Sequence, residues 1–285
     1  WPILARTHGD NVALEDIHGT PPSRLTYRQM AASVEALAAG FWTLGVRSGD
    51  RVALFAEGSG RWLQADQALM RAGAISAVRG SSCPLDELAY IWKHSRAAYL
   101  VVQDAPALLS LAPMLVKGGG HDGLGSAPAA AVVLWGPSPG EEELRRAGWP
   151  TGSPVRAFEE VERAGSEALL NSGSADDSDS AYAPPPPLRL SSPATIVYTS
   201  GTTSLPRGVL LTQSNLLSQL RQIQTRIPLP GSHTFLSLLP PWHIYQRTVQ
   251  YYLSLRHCRL VFSAVPKLRE DLQTVKPDIL VAVPL

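Results

Sequence analysis

Short apolar or β-branched runs recur along the chain, separated by stretches with helical spacing, and that alternation limits the fold. The runs at 52–56, 74–78, 99–102, 132–135, 235–239, 260–262 and 279–283 are short enough to be buried strands. Between them lie helical patterns. Thr26 and Gln29 form a capping-box pair, and Met30, Val34, Leu37, Phe41 and Leu44 recur at steps of four and three. Gly45 is placed to close that helix. Ser59 is an N-cap for a helix to about residue 71, with Trp62, Ala65, Leu69 and Met70 inward. Pro84 suits the first turn of a helix ending near His94. Leu216, Leu217, Leu220 and Ile223 mark another helix, and 245–255 and 268–275 two more. Strand–helix alternation predicts an α/β fold with parallel strands joined by right-handed crossovers.

Two biased segments, at about 117–130 and 172–192, interrupt the pattern. The first is Gly/Ala-rich, and the second runs from an acidic Ser/Asp stretch into four consecutive prolines. Neither is expected to bury enough apolar area to offset its ordering entropy, so both are predicted to be insertions or linkers.

With 285 residues, 45% of them hydrophobic and 17% charged, the chain can enclose a large core. Its net charge of +1 comes without a dense basic patch, which argues against a nucleic-acid partner. No apolar run reaches the ~18–20 residues of a membrane span. Cys83 and Cys258 are the only cysteines, too few for a disulfide scaffold, and no metal-ligand spacing joins them to a histidine. The chain starts at Trp1 and stops just after an apolar run, so it is expected to be part of a longer polypeptide.

The stretch 195–212 carries the chemistry. An apolar run, Ile196-Val197-Tyr198, leads into Thr199, Ser200, Gly201, Thr202, Thr203 and Ser204; Leu205, Pro206, Arg207, Gly208 and a second apolar run follow. Strand, loop and strand are expected. Hydroxyls and backbone N–H groups in such a loop can surround phosphate oxygens, with the cation compensating charge. The Walker spacing fails, because Gly201 and Gly208 are seven apart and Val209 stands where a Lys would be needed. By composition alone the string also suits an ordinary hairpin loop.

As a literal string, 198–209 resembles the Tyr-Thr-Ser-Gly-Thr-Thr-Gly-x-Pro-Lys-Gly-Val signature of the acyl-adenylate-forming superfamily, which holds acyl-CoA synthetases, luciferases and peptide-synthetase adenylation domains. It departs at two positions, with Ser204 for Gly and Arg207 for Lys. Gly tolerates a positive φ that Ser resists by about 1 kcal/mol. Arg keeps the charge but replaces a compact donor by a planar fork. The segments 78–88, with His94 and Ser95 beyond, and 239–247 resemble the plant and algal long-chain acyl-[acyl carrier protein] synthetases.

The resemblance implies layered sheets and helices of an incomplete N-terminal adenylation domain spanning 1–285, with the small C-terminal domain and its catalytic lysine lying beyond Leu285. It also implies ATP with nucleotide-bound Mg²⁺, a fatty acid, and a thiol acceptor on coenzyme A or on the phosphopantetheine of acyl carrier protein. Thr199, Ser200, Gly201, Thr202, Thr203, Ser204, Arg207 and Gly208 would hold the ATP phosphates. Pro240 and Pro241 end a predicted strand, and Trp242, His243 and Tyr245 follow it. By resemblance these three lie beside the acyl pocket and the reacting carboxylate, with His243 the foremost candidate; a structural histidine is the other reading. Arg79, Gly80 and Ser81 read as a strand-end turn.

Plastid localisation rests on the subfamily resemblance alone, and peripheral membrane contact stays open. The chain by itself is expected to turn over negligibly. The alternatives are a non-catalytic module of the same fold and a CoA ligase for another carboxylic acid.

Overall fold

The computed structural model describes residues 1–117, 127–172, 182–199 and 205–283. In chain order the elements are α1 (Pro2–Thr7), β1 (Val12–Asp16), β2 (Ser23–Thr26), α2 (Tyr27–Thr43), β3 (Arg51–Phe55), α3 (Gly60–Arg71), β4 (Ile75–Arg79), α4 (Leu85–Ser95), β5 (Tyr99–Asp104) and α5 (Ala105–Lys117). Then come β6 (Ala130–Trp135), α6 (Glu141–Arg146), β7 (Val155–Ala157), α7 (Phe158–Asn171), β8 (Pro193–Thr199), β9 (Arg207–Thr212) and α8 (Gln213–Arg226). The last are β10 (Thr234–Ser237), α9 (Ile244–Leu255), β11 (Arg259–Phe262), a 3₁₀ turn (Val265–Lys267), α10 (Leu268–Val275) and β12 (Ile279–Leu280).

The chain divides into two compact units. One comprises Trp1–Ser33, Gly58–Gln64 and Ser214–Leu285. Its five-stranded sheet has the order β12-β10-β11-β1-β2, parallel except for the antiparallel β1–β2 pair. Leu14, Phe235 and Leu260 share the buried centre. Tyr27 is fully buried, and its hydroxyl lies 2.7 Å from the Cys258 carbonyl and 3.1 Å from that of Ser254. Burial pushes that phenol well above its ordinary range.

The other unit comprises Val34–Glu57 and Ala65–Gln213. Its seven strands run β7-β6-β5-β3-β4-β8-β9, and only the edge strand β9 is antiparallel to its neighbour. Strands buried on both faces read as continuous apolar runs, as 52–56 and 99–102 do. Phe55, Trp92, Leu100, Leu108, Val133 and Tyr198 belong to its core. Helices α2 and α7 meet backbone to backbone. A Cβ on Gly165 would overlap the Ala36 carbonyl oxygen, and one on Gly40 would overlap that of Val161.

The local signals hold where they are chemical. The Thr26 N–H donates to Gln29 Oε1 at 2.8 Å and the Gln29 N–H to Thr26 Oγ1 at 3.3 Å, closing the capping box. Ser59 Oγ accepts from the Trp62 N–H at 3.1 Å, and Gly45 takes φ +95. Several boundaries move. Leu44 falls past the end of α2, Met70 is half-buried rather than inward, and Pro84 is the N-cap of α4 rather than inside it. β10 stops at Ser237 instead of 239, opposite Phe262, where its partner strand β11 also ends. β12 pairs only at Ile279 and Leu280, opposite Phe235 and Leu236.

Residues 118–126 of the first biased segment and 173–181 of the second lie outside the described residues, and the flanking parts are structured. Lys117 closes α5 and Ala130 opens β6. Tyr182 is buried edge-on against Trp42, with centroids 5.7 Å apart. Ala183 and Pro184 to Pro186 join Trp42 and Val46 around a cavity of about 410 Å³. Of the four prolines only Pro185 is half-buried, and Pro184, Pro186 and Pro187 are exposed, so the buried Tyr182 anchors a stretch that otherwise runs over the surface.

Gly165→Ala places a methyl group inside the helix crossing. It should cost at least about 3 kcal/mol in urea unfolding, whereas an Ala at exposed Gly140 should cost under about 1.

Candidate functional site

Strand β8 enters the site rigidly held. Thr195 is fully buried and donates through Oγ1 to the Ser76 carbonyl at 2.8 Å, fastening β8 to β4. The β8–β9 hairpin pairs Tyr198 with Gly208 and Thr199 with Arg207. Ser200, Gly201, Thr202, Thr203 and Ser204 lie outside the described residues. What is described is the mouth that holds them. Thr199 and Arg207 are exposed side by side, and Gly208 is half-buried behind them.

The mouth has an aromatic floor. Tyr198 is 1% exposed, and a Cβ on Gly208 would come within 3.1 Å of its ring carbon Cζ and 3.0 Å of Ile196 Cγ2. Gly is needed there for close approach rather than for a positive φ. The Tyr198 hydroxyl lies 2.9 Å from His94 Nδ1, and burial pushes its pKa up to about 12, so it keeps its proton. Beside the hairpin, at the C-terminal edge of the parallel strands, Arg79 is committed to Glu87 at 2.7 Å. Glu57 accepts from the Ser81 hydroxyl at 3.1 Å and the Ser82 N–H at 3.0 Å. These bonds suit a strand-end turn, the role expected of 79–81.

The second group of candidate residues belongs to the other compact unit. Residues 239–243 turn from β10 into α9. The His243 N–H donates to the Pro240 carbonyl at 3.1 Å, and His243 is the N-cap of α9. Its side chain is exposed, as is Tyr245 in the first helical turn, while Trp242 is 8% exposed. The Trp242 and His243 rings are 6.5 Å apart. Gly58 leaves room for this turn, since a Cβ there would be 2.8 Å from Pro241 Cδ.

Sequence reading missed what lies beneath. Helix α9 buries Gln246, Arg247, Thr248, Gln250 and Ser254. Gln246 and Gln250 donate through Nε2 to Ser237 Oγ at 2.9 and 2.8 Å, and their Oε1 atoms are buried with no partner among the described residues. Arg247 is fully buried, donates to the Tyr251 hydroxyl at 2.7 Å and lies 5.5 Å from the Trp62 ring centroid. The i, i+4 spacing of the two glutamines was the available signal.

One unit with a largely parallel sheet edged by an antiparallel hairpin, and another with a smaller sheet, match the N-terminal domain of adenylate-forming enzymes. Among solved structures, the inhibitor-bound N-terminal domain of FACL13 from Mycobacterium tuberculosis matches with a TM-score of 0.71 at 19% identity, covering 99% of this chain and 61% of that one. The o-succinylbenzoate coenzyme A synthetase of Bacillus subtilis, in complex with AMP, matches at 0.69 and 14% identity, with 99% and 60% covered.

The model of the family described as AMP-binding enzyme matches residues 3–285, and the chain belongs to that family. The probable acyl-activating enzyme 16, chloroplastic, of Arabidopsis thaliana is 34% identical over all of this chain and 38% of its own length. A long-chain-fatty-acid–[acyl-carrier-protein] ligase, chloroplastic, of the same plant is 33% identical over all of this chain and 37% of its own length. The chain thus spans under two-fifths of these relatives.

Ser237→Ala leaves two buried amide donors without an acceptor. It should lower stability by about 2–4 kcal/mol, measured by chemical denaturation, although it removes only one oxygen.

Proposed function

We propose that the protein carrying this chain activates a long-chain fatty acid with ATP, forming an acyl-adenylate and pyrophosphate, and then passes the acyl group to a thiol. One observation carries the reading: in a member of the AMP-binding enzyme family, Thr199 and Arg207 stand paired and exposed across the mouth of the hydroxyl-rich loop. A carboxylate is already a nucleophile, so the barrier lies in bringing it to a polyanion. Arg207 and the donors of 199–204 offset charge on the phosphates. Mg²⁺ is assigned to the nucleotide's own oxygens, as the family resemblance implies. His243, Trp242 and Tyr245 are assigned to the carboxylate and acyl side.

The acceptor is proposed to be acyl carrier protein, following the name of the Arabidopsis ligase, with coenzyme A as the other thiol. Both Arabidopsis relatives are named chloroplastic, which supports plastid residence. Among the described residues no helix is long and apolar enough to cross a membrane, and any membrane contact is proposed to be peripheral.

The test is palmitate-dependent ATP–pyrophosphate exchange, run on this chain alone and on this chain joined to the remaining sequence of the Arabidopsis ligase. Exchange should appear in the joined protein and be negligible for the chain alone. Arg207→Ala should lower kcat/KM for ATP by about a hundredfold. A soluble joined protein that binds nucleotide equally well with and without Arg207, and exchanges with no acid, would instead mark a non-catalytic module. Exchange with aromatic but not fatty acids would mark a CoA ligase for another acid.

A further inference from the structure

We infer that His94 is a positioning residue for the phosphate loop, acting through the Tyr198 hydroxyl. The inference rests on the phosphate-binding reading of the hairpin and adds to it a residue outside the loop. His94 sits in the last turn of α4, three strands of chain away in sequence, yet its Nδ1 is 2.9 Å from the Tyr198 oxygen. Its ring meets Tyr198 edge-on at 5.7 Å and stacks on Tyr90 at 5.4 Å. The start of the same helix is fixed by the ion pair of Glu87 with Arg79, at the C-terminal end of β4.

Tyr198 is the last buried residue before the mouth, and its ring is the surface against which Gly208 closes. That ring packs on Gly208, one register step from the Thr199–Arg207 pair, so its position bears on the twist with which the two stem residues leave the ladder. A tyrosine held only by packing could slide along its own plane. The hydrogen bond to His94, alongside the Ser95 side chain, removes that freedom, and a hydroxyl that keeps its proton can pair with Nδ1 in either tautomer. His94 touches no substrate in this scheme; it fixes the ring that fixes the two stem residues.

The probe is inorganic tripolyphosphate with magnesium, titrated calorimetrically into this chain. His94→Leu and Tyr198→Phe should each weaken binding about fivefold, the worth of one lost hydrogen bond, and the double variant should lose no more than either alone. His94→Asn can offer an amide atom near the Nδ1 position and should stay within about twofold of the parent. Tyr198→Phe removes one oxygen and keeps the ring, so near-ultraviolet circular dichroism should show it folded.

Equal losses in His94→Asn and His94→Leu, or parent-like binding in Tyr198→Phe, would reduce His94 to a packing residue and overturn the inference. Arg207→Ala separates this from the wider reading. If Arg207→Ala abolishes binding while the His94 and Tyr198 variants bind normally, only the positioning role fails. If the parent chain binds no tripolyphosphate, the phosphate reading fails and the inference with it.

Discussion

The antiparallel pairing of β9 onto an otherwise parallel sheet is the interaction on which the candidate site depends. Six parallel strands present their C-terminal ends at one edge, and a seventh that continued the pattern would need a crossover between β8 and β9. The chain instead reverses within a few residues. That reversal puts the stem residues Thr199 and Arg207 at the edge where α/β sheets gather ligands. It also demands close backbone approach at Gly208, because the Tyr198 ring occupies the space a side chain would take. The Thr195 hydroxyl on Ser76 holds the other end of β8 to β4. A loop pinned at both stems loses less entropy on meeting a ligand than one hung from a free edge.

Burial of polar groups is the second theme. In α9 the residues from Gln246 to Ser254 are almost all buried, yet five of them are polar or charged. An apolar helix of the same shape would contribute more from burial alone, at ~25 cal/mol per Å². The two glutamines share one acceptor and leave two carbonyl oxygens buried with no partner among the described residues, a cost on the order of 1–3 kcal/mol each. Fixing both amides on the final residue of β10 specifies the angle at which α9 leaves the turn, and so where His243 and Tyr245 stand. Stability given up for geometry is what a site, rather than a core, requires.

How much of this was legible in the sequence follows from the range of each signal. The capping box at Thr26 and Gln29, the Ser59 cap and the Gly45 stop are interactions within three residues, and they were found. The continuous apolar strands of the seven-stranded sheet were found because burial on both faces leaves no other composition. Missed were α1, β1, β2, β7, α5, α6 and α7. Strands β1 and β2 carry Glu15, Asp16 and Arg24, which look like loop residues until Arg24 and Arg259 are seen to pair with Glu15 across the sheet. Helix α5 holds Pro113, and α7 holds Gly165, residues that argue against a helix unless a neighbour needs them. His94 gave no local signal, because its partner Tyr198 is 104 residues away.

The two departures from the family string can be weighed with the same geometry. Arg207 pairs in register with Thr199 on the stem, so its Cα is fixed by the ladder and only the side chain searches. A longer planar guanidinium can reach two oxygens from that fixed origin where an ammonium meets one, at the cost of needing a defined approach plane. In the sequence Ser204 replaces the glycine of the family string, and a side chain narrows the backbone freedom a glycine would give. The two changes bear on one quantity, because a fork that demands a plane is best served by a loop with fewer conformations. If they compensate, Ser204→Gly alone should weaken phosphate binding rather than strengthen it, and Arg207→Lys should recover most of that loss only when Gly stands at 204. Isothermal titration of the two single variants and the double variant with tripolyphosphate measures the coupling directly. Additive effects would mean that the two residues act independently.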